Sequence, residues 1–154
     1  MGAVKKQRQV LKRGKTSSTF ARKVDRQEQE HASLATQLDK LMTRDPVALT
    51  WSLLKLRSFL LKHFAREEGP QGLFELVMTR AWQHQNKVRD LRHEHGSILT
   101  MIDEVLAYTK QRFEPISDGQ HGAVLQLIGV LKSHEACENE MLQDVLQTDV
   151  GVGD

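Results

Sequence analysis

Four segments of this 154-residue chain carry apolar residues at the three- and four-residue spacing of an amphipathic helix. Each apolar stripe also contains one histidine in line with its leucines, isoleucines or valines. The four histidines are His31, His63, His95 and His134. Four such stripes are buried by packing against one another, and the polar position in each stripe is then buried as well. The pattern therefore predicts a helical bundle with imidazoles in its interior.

Two of these histidines are followed, four residues later, by a glutamate on the same stripe. His63 precedes Glu67 in LKHFAREEG, and His134 precedes Glu138 in SHEACENEM. Residues four apart lie about 40° apart around a helix and one turn along it, so each pair can reach one metal ion. One such pair is a weak signal, because this spacing is common. Its repetition, each time after a helix with a lone histidine, predicts a metal site.

The composition favours an all-α fold. Only three prolines occur, glycines gather mostly outside the periodic segments, and no segment alternates β-branched with polar residues. With 39% hydrophobic and 27% charged residues, the chain suits one soluble domain that is long enough to bury a core. Because the connections between the segments are short, we expect an up-down-up-down antiparallel four-helix bundle over residues 20–148.

Capping signals predict where the helices begin and end. Asp45 followed by Pro46 is typical of a helix start, and Ser117 with Gln120 has the spacing of a capping box. The connection GPQGLFELVM can hold one further turn. We expect helices over about residues 20–43, 46–68, 79–113 and 117–147.

The ends of the chain differ from its middle. The first twenty residues carry six basic residues and no acidic residue, which leaves 16 basic against 20 acidic residues in the rest. We expect residues 1–19 to form a flexible basic tail, able to contact an acidic partner weakly, and residues 149–154 to fray. The sequence has no membrane span, no apolar region behind its basic start, and a single cysteine, Cys137. We therefore expect a cytoplasmic protein.

The other three histidines are poor candidates for the site. His93 lies about 200° around the helix from His95, and His84 lies about 16 Å from it along the axis. His121 is in the first turn of the last helix, far along the axis from His134. We interpret all three as boundary or surface residues.

The number of candidate ligands indicates which metal the site binds. Four histidines and two glutamates are more than the four ligands of a structural zinc ion. Two carboxylates that bridge a pair of metal ions, flanked by histidines, suit a dinuclear iron centre. A metal-free helical interaction module, with the same side chains in a polar network, is an alternative. It is disfavoured because burying six ionisable groups without a metal is costly.

The chain resembles the bacterial hemerythrin-like proteins of the HHE cation-binding family over about residues 24–146. The resemblance is carried by an ordered pattern of six residues, His31, His63, Glu67, His95, His134 and Glu138. It implies a four-helix bundle that holds two non-heme iron ions and has an open position for a small ligand such as O2 or NO. By the same resemblance, the two glutamates bridge the irons and the four histidines are terminal ligands.

The pattern departs from that of the oxygen-carrying hemerythrins in two places. Those proteins have His-x3-His on the third helix, where this chain has Leu91 and Leu99 around His95. They end with His-x4-Asp, whereas this chain has Asn139 at that position and Glu138 one residue earlier. Fewer ligands disfavour simple reversible oxygen carriage.

Beside the metal-free alternative, two metal-dependent functions remain open. We expect a di-iron protein that binds or senses O2, NO or iron. A di-iron redox enzyme acting on peroxide or NO is the alternative, so enzymatic activity stays open, as does the oligomeric state.

Overall fold

A computed structural model describes the backbone of residues 3–151 and the side chains of residues 20–148. These residues form helices and connections, without a strand in the described range. The four long helices are α1 (Ala3–Asp39), α2 (Pro46–Glu68), α4 (Gln85–Thr109) and α5 (Asp118–Gly151). Between α2 and α4 lie the short helix α3 (Leu73–Arg80) and a 3-10 helix, Trp82–His84. The predicted all-α class, a four-helix bundle, is confirmed, while its up-down topology stays a prediction.

The chain divides into two compact units, residues 1–33 and residues 34–154. The first unit consists of most of α1, which begins at Ala3 and not near residue 20 as the sequence suggested. In it, Arg26 forms an ion pair with Glu30 at 3.3 Å, one helical turn away. The side chains of residues 1–19 and 149–154 lie outside the described part, so the flexible tail and the frayed end stay predictions.

The second unit has a continuous aliphatic core. Helix α4 packs against both α2 and α5, and α3 packs against all three of these helices. The core forms because each long helix buries one apolar stripe, as its helical spacing predicts. Its largest fully buried aliphatic members are Leu34, Leu38, Leu41, Leu49, Leu53, Leu56, Leu60, Ile98, Ile102, Leu127 and Leu131. Each helix in the described part of the chain is too short or too polar to span a lipid bilayer.

Both predicted N-caps are present. The Asp45 carboxylate accepts hydrogen bonds from the backbone N–H groups of Val47 at 3.4 Å and Ala48 at 3.1 Å. Ser117 and Gln120 form a reciprocal capping box, in which each backbone N–H donates to the other side chain. These caps satisfy helix-end donors that would otherwise lack partners, and so they place the first turns of α2 and α5.

The predicted third helix, over residues 79–113, was wrong at both ends. Ala81 has φ −144° and ψ 57°, which is outside the helical region and separates α3 from the 3-10 helix. Helix α4 then begins at Gln85 and ends at Thr109, four residues before the exposed Phe113. Burial explains the interruption, since α3 covers the core with a short stripe of its own. That stripe is Leu73, Phe74 and Val77.

The connection after α2 folds back against the last turn of that helix. Gly69 caps α2 by donating its N–H to the carbonyl of Ala65 at 3.0 Å, and Gly72 N–H donates to Gly69 at 3.0 Å. A Cβ atom on Gly72 would lie 2.5 Å from the carbonyl oxygen of Glu67, and closer still to that of Arg66. Only glycine therefore fits this position, which holds the turn that carries Glu67.

Candidate metal centre

The first part of the site is at the end of α2. His63 and Glu67 follow the buried leucine stripe of this helix and are themselves 1% and 2% exposed. His63 Nε2 lies 2.9 Å from Glu67 Oε1. The four-residue spacing produces this contact directly, because both side chains project from the same face one turn apart. Glu67 is therefore an interior carboxylate, although the neighbouring Arg66 is polar and partly exposed.

Helix α5 contributes the second pair in the same way. His134 Nε2 lies 2.8 Å from Glu138 Oε1, and both side chains are buried. The apolar stripe continues on either side of them, with Leu131 before the pair and Met141 after it fully buried. The helix thus presents an imidazole and a carboxylate inside an otherwise aliphatic surface.

His95 of α4 connects the two pairs. Its Nε2 atom lies 3.1 Å from Nε2 of His134. The same atom lies 3.3 Å from Glu67 Oε2 and 3.9 Å from Glu138 Oε1. Three helices that are distant in sequence therefore bring their polar positions to one place.

The two carboxylates are shared between two groups of potential ligands. One group contains Glu67, His95, His134 and Glu138, whose ligand atoms all lie within 4.8 Å of one another. Within the second unit, His63 also lies within 4.8 Å of ligand atoms from Glu67 and Glu138. Glu67 directs Oε1 towards His63 and Oε2 towards His95. The two oxygens of this carboxylate therefore lie beside histidines of two different helices.

His31, the remaining predicted ligand, lies on α1 in the first unit. Its Nε2 atom accepts a hydrogen bond from the side-chain amide of Gln27 at 3.0 Å. Its role as a ligand stays a prediction.

Two carboxylates that sequence reasoning did not assign to the site contact its histidines from outside. His95 donates its Nδ1–H to Glu68 Oε1 at 2.5 Å, and His134 donates its Nδ1–H to Glu94 Oε2 at 2.7 Å. Both glutamates are partly exposed, by 37% and 49% of their side-chain surface. The available signal is sequence position, because Glu68 directly follows Glu67 and Glu94 directly precedes His95.

These outer hydrogen bonds determine what the inner nitrogen atoms can do. A neutral imidazole whose Nδ1 carries the proton has a lone pair on Nε2. The Nε2 atoms of His95 and His134 then face each other and the oxygens of Glu67 and Glu138, and all four atoms are acceptors. The lone pairs of these four atoms repel one another unless a cation lies between them. The donor set therefore fits a bound metal ion.

In the metal-free cluster a proton can take the place of this cation, which agrees with the raised pKa values of His95 and His134. Burial opposes protonation of His95, but hydrogen bonds to Glu138, Glu67 and Glu68 outweigh it and raise the pKa of His95 from 6.5 to about 9. Burial also opposes protonation of His134, and there hydrogen bonding and charge from Glu138, with Glu94, raise the pKa.

Phenylalanine rings form the walls around the imidazoles. Phe64 is stacked on His95, with ring centroids 3.7 Å apart and planes 9° apart. Phe74 from α3 is also nearly parallel to His95, at 5.4 Å and 16°. Phe59 stacks on His63 at 5.7 Å. These rings restrict imidazole rotation and surround the polar cluster with apolar surface.

The histidines that were interpreted as boundary or surface residues belong to neither ligand group of the described residues. His84 donates from Nε2 to Asp144 Oδ2 of α5 at 2.8 Å. His93 is exposed, and His121 is partly exposed in the first turn of α5.

Fold and site together define a helical metal-binding domain, in which buried imidazoles and carboxylates from separate helices form the ligand groups. The family model of the hemerythrin HHE cation-binding domain matches residues 19–146, and the chain belongs to that family. The searches of curated proteins and of solved structures each gave no match.

Proposed function

We propose that this protein is a non-heme di-iron protein that binds or senses a small ligand such as O2 or NO. The observation that carries the proposal is the pair of shared carboxylates, because Glu67 and Glu138 each lie within reach of histidines belonging to two ligand groups. Sharing of carboxylates between two ions is typical of dinuclear sites in helical bundles. Imidazole with carboxylate is a donor set that suits iron.

In this proposal six residues hold the two ions. Glu67 and Glu138 would be shared between the two ions, and His31, His63, His95 and His134 would each hold one of them. His31 is included because it occupies the first position of the sequence pattern and lies within the residues matched by the family model. When bound, the iron pair supplies Lewis acidity and one-electron redox chemistry.

The residues of the chain determine access to the centre. Four imidazoles and two shared carboxylates would fill fewer positions than two six-coordinate ions offer, which would leave room for an exogenous ligand. Leu60, Ile98 and Leu131 are fully buried and cannot coordinate a metal. Together with Phe64 and Phe74 they limit water around the site, which favours small and weakly hydrated ligands. We propose a cytoplasmic location, where Cys137 stays reduced.

Iron loading tests this proposal directly. The purified protein should retain about two irons per chain when loaded anaerobically, and azide or NO should change its near-ultraviolet and visible spectrum. Glu67→Ala should lose more iron than the matched control His84→Ala, because the first removes a shared ligand and the second removes a residue outside both groups. Equal iron retention in both variants contradicts the ligand assignment. Rapid turnover of peroxide by the loaded protein would instead favour the redox-enzyme alternative.

A further inference from the structure

Each of the two outer carboxylates is adjacent in sequence to one ligand of the site and hydrogen-bonded to a ligand on another helix. We propose that Glu68 and Glu94 are positioning residues that set the metal affinity of His95 and His134. The proposal rests on the proposed function, in that it takes the two histidines to be metal ligands. It assigns roles to two residues outside the six-residue pattern.

The hydrogen bonds connect three helices in order. Glu68, the last residue of α2, accepts from His95 of α4. Glu94 of α4 accepts from His134 of α5. Because Glu68 adjoins Glu67, the turn of α2 that supplies a carboxylate ligand also orients an imidazole of α4. Because Glu94 adjoins His95, α4 orients the imidazole of α5 in the same way.

Each bond selects the ring nitrogen that faces the metal. An imidazole can carry its proton on either nitrogen, and donation from Nδ1 to a carboxylate leaves Nε2 free to coordinate. The carboxylate also makes the imidazole a more basic ligand. In His95 the ring plane is already restricted by Phe64 and Phe74. The hydrogen bond to Glu68 additionally fixes which ring nitrogen of His95 carries the proton.

The exposure of Glu68 and Glu94 indicates that these residues affect metal binding and contribute little to folding stability. Glu68 and Glu94 are 37% and 49% exposed, and ion pairs at such positions add little to folding stability because water screens them. Their partners are buried, so each carboxylate acts on a group that water does not reach. Removing the carboxylate charge should therefore change metal binding much more than folding.

Cobalt(II) serves as the probe, because its visible spectrum reports ligand geometry and its binding does not depend on the iron chemistry. We compare the full chain with Glu68→Gln, Glu94→Gln and the matched control Glu104→Gln, an exposed position on the same helix as Glu94. Competition titration should show about 10- to 100-fold weaker cobalt binding in the first two variants, with altered visible bands, and no change in the control. Thermal unfolding of the metal-free proteins should stay nearly constant.

Glu68→Ala and Glu94→Ala extend the series, because alanine removes the acceptor as well as the charge. They should bind cobalt at least as weakly as the glutamine variants. Cobalt affinity and spectra equal to those of the control would overturn the positioning role. An unmodified protein that binds cobalt but no iron would contradict the di-iron function and leave the cobalt comparison as the test of Glu68 and Glu94.

Discussion

Gly72→Ala should disturb the metal centre from outside its ligand set. Gly72 has φ −76°, an angle that any residue adopts, so an alanine there meets no intrinsic backbone strain. The obstacle is space, because the new Cβ would lie 2.5 Å from the carbonyl oxygen and 2.9 Å from the carbonyl carbon of Glu67. Both atoms belong to the backbone and cannot rotate away. The connection or the last turn of α2 must move.

The expected stability change follows from two opposing effects. Forcing one extra carbon into a packed site costs about 1–3 kcal/mol. Replacing glycine also restricts the unfolded chain, which stabilises the folded state by about 0.4–1 kcal/mol. The net loss should be about 1–2 kcal/mol, or a fall in Tm of roughly 2–8 °C for a chain of this size. Because Glu67 and Glu68 move with the turn, metal affinity should also fall, by about tenfold or more.

Gly129→Ala is the matched control. Gly129 is an exposed residue of α5, and a Cβ built there has no atom within 4 Å. Alanine inside a helix should add about 0.5–1 kcal/mol, so the control should melt higher than the original chain. Calorimetry of the metal-free proteins and cobalt titration of both variants measure the two effects. Unchanged Tm and unchanged affinity in Gly72→Ala would refute the steric argument.

Three further predictions concern the same unit. The pKa of His95 is raised from 6.5 to about 9, so its contribution to the stability of the metal-free protein is complete below pH 6.5 and lost as pH rises through 9. Denaturant titrations should show this decline in the free energy of unfolding, which is on the order of 3 kcal/mol at about 1.4 kcal/mol per tenfold change in proton affinity. A free energy of unfolding that rises over this pH range would contradict the prediction. Asp45→Ala should lower the free energy of unfolding by about 1 kcal/mol, because it removes the N-cap of α2. Cobalt affinity should stay unchanged, and a large change in it would show that the cap also affects the metal site. Phe74→Ala should cost about 3–5 kcal/mol in urea unfolding, since the ring is buried, and a loss below 1 kcal/mol would show that the site collapses around it.

The sequence was most informative where the structure depends on contacts within one helix. The bounds of α2, the caps at Asp45 and Ser117, and the contact between His63 and Glu67 all involve residues at most four apart. Such contacts follow from helical geometry alone. The convergence of His95 with the two His–Glu pairs needed one additional assumption, that every apolar stripe is buried in a common core.

Contacts between helices were the part that the sequence did not provide. Glu68 and His95 are 27 positions apart, and Glu94 and His134 are 40 apart. The two glutamates look like ordinary solvated residues, because periodicity identifies buried faces and cannot assign a partner to a partly exposed carboxylate. The break at Ala81 was missed for a similar reason, since the burial of Phe74 and Val77 favours a separate short helix over one continuous helix.

The stacking of Phe64 on His95 also provides a reporter inside the domain. An aromatic ring placed face-on at 3.7 Å shields the nuclei beneath it, so the carbon-bound ring hydrogens of His95 should resonate well upfield of those of exposed His93. Phe64 directly follows His63 on α2, whereas His95 lies on α4. The chemical shift of one imidazole therefore measures the alignment of two helices. It can be followed by NMR in the metal-free protein, without a label or a substitution.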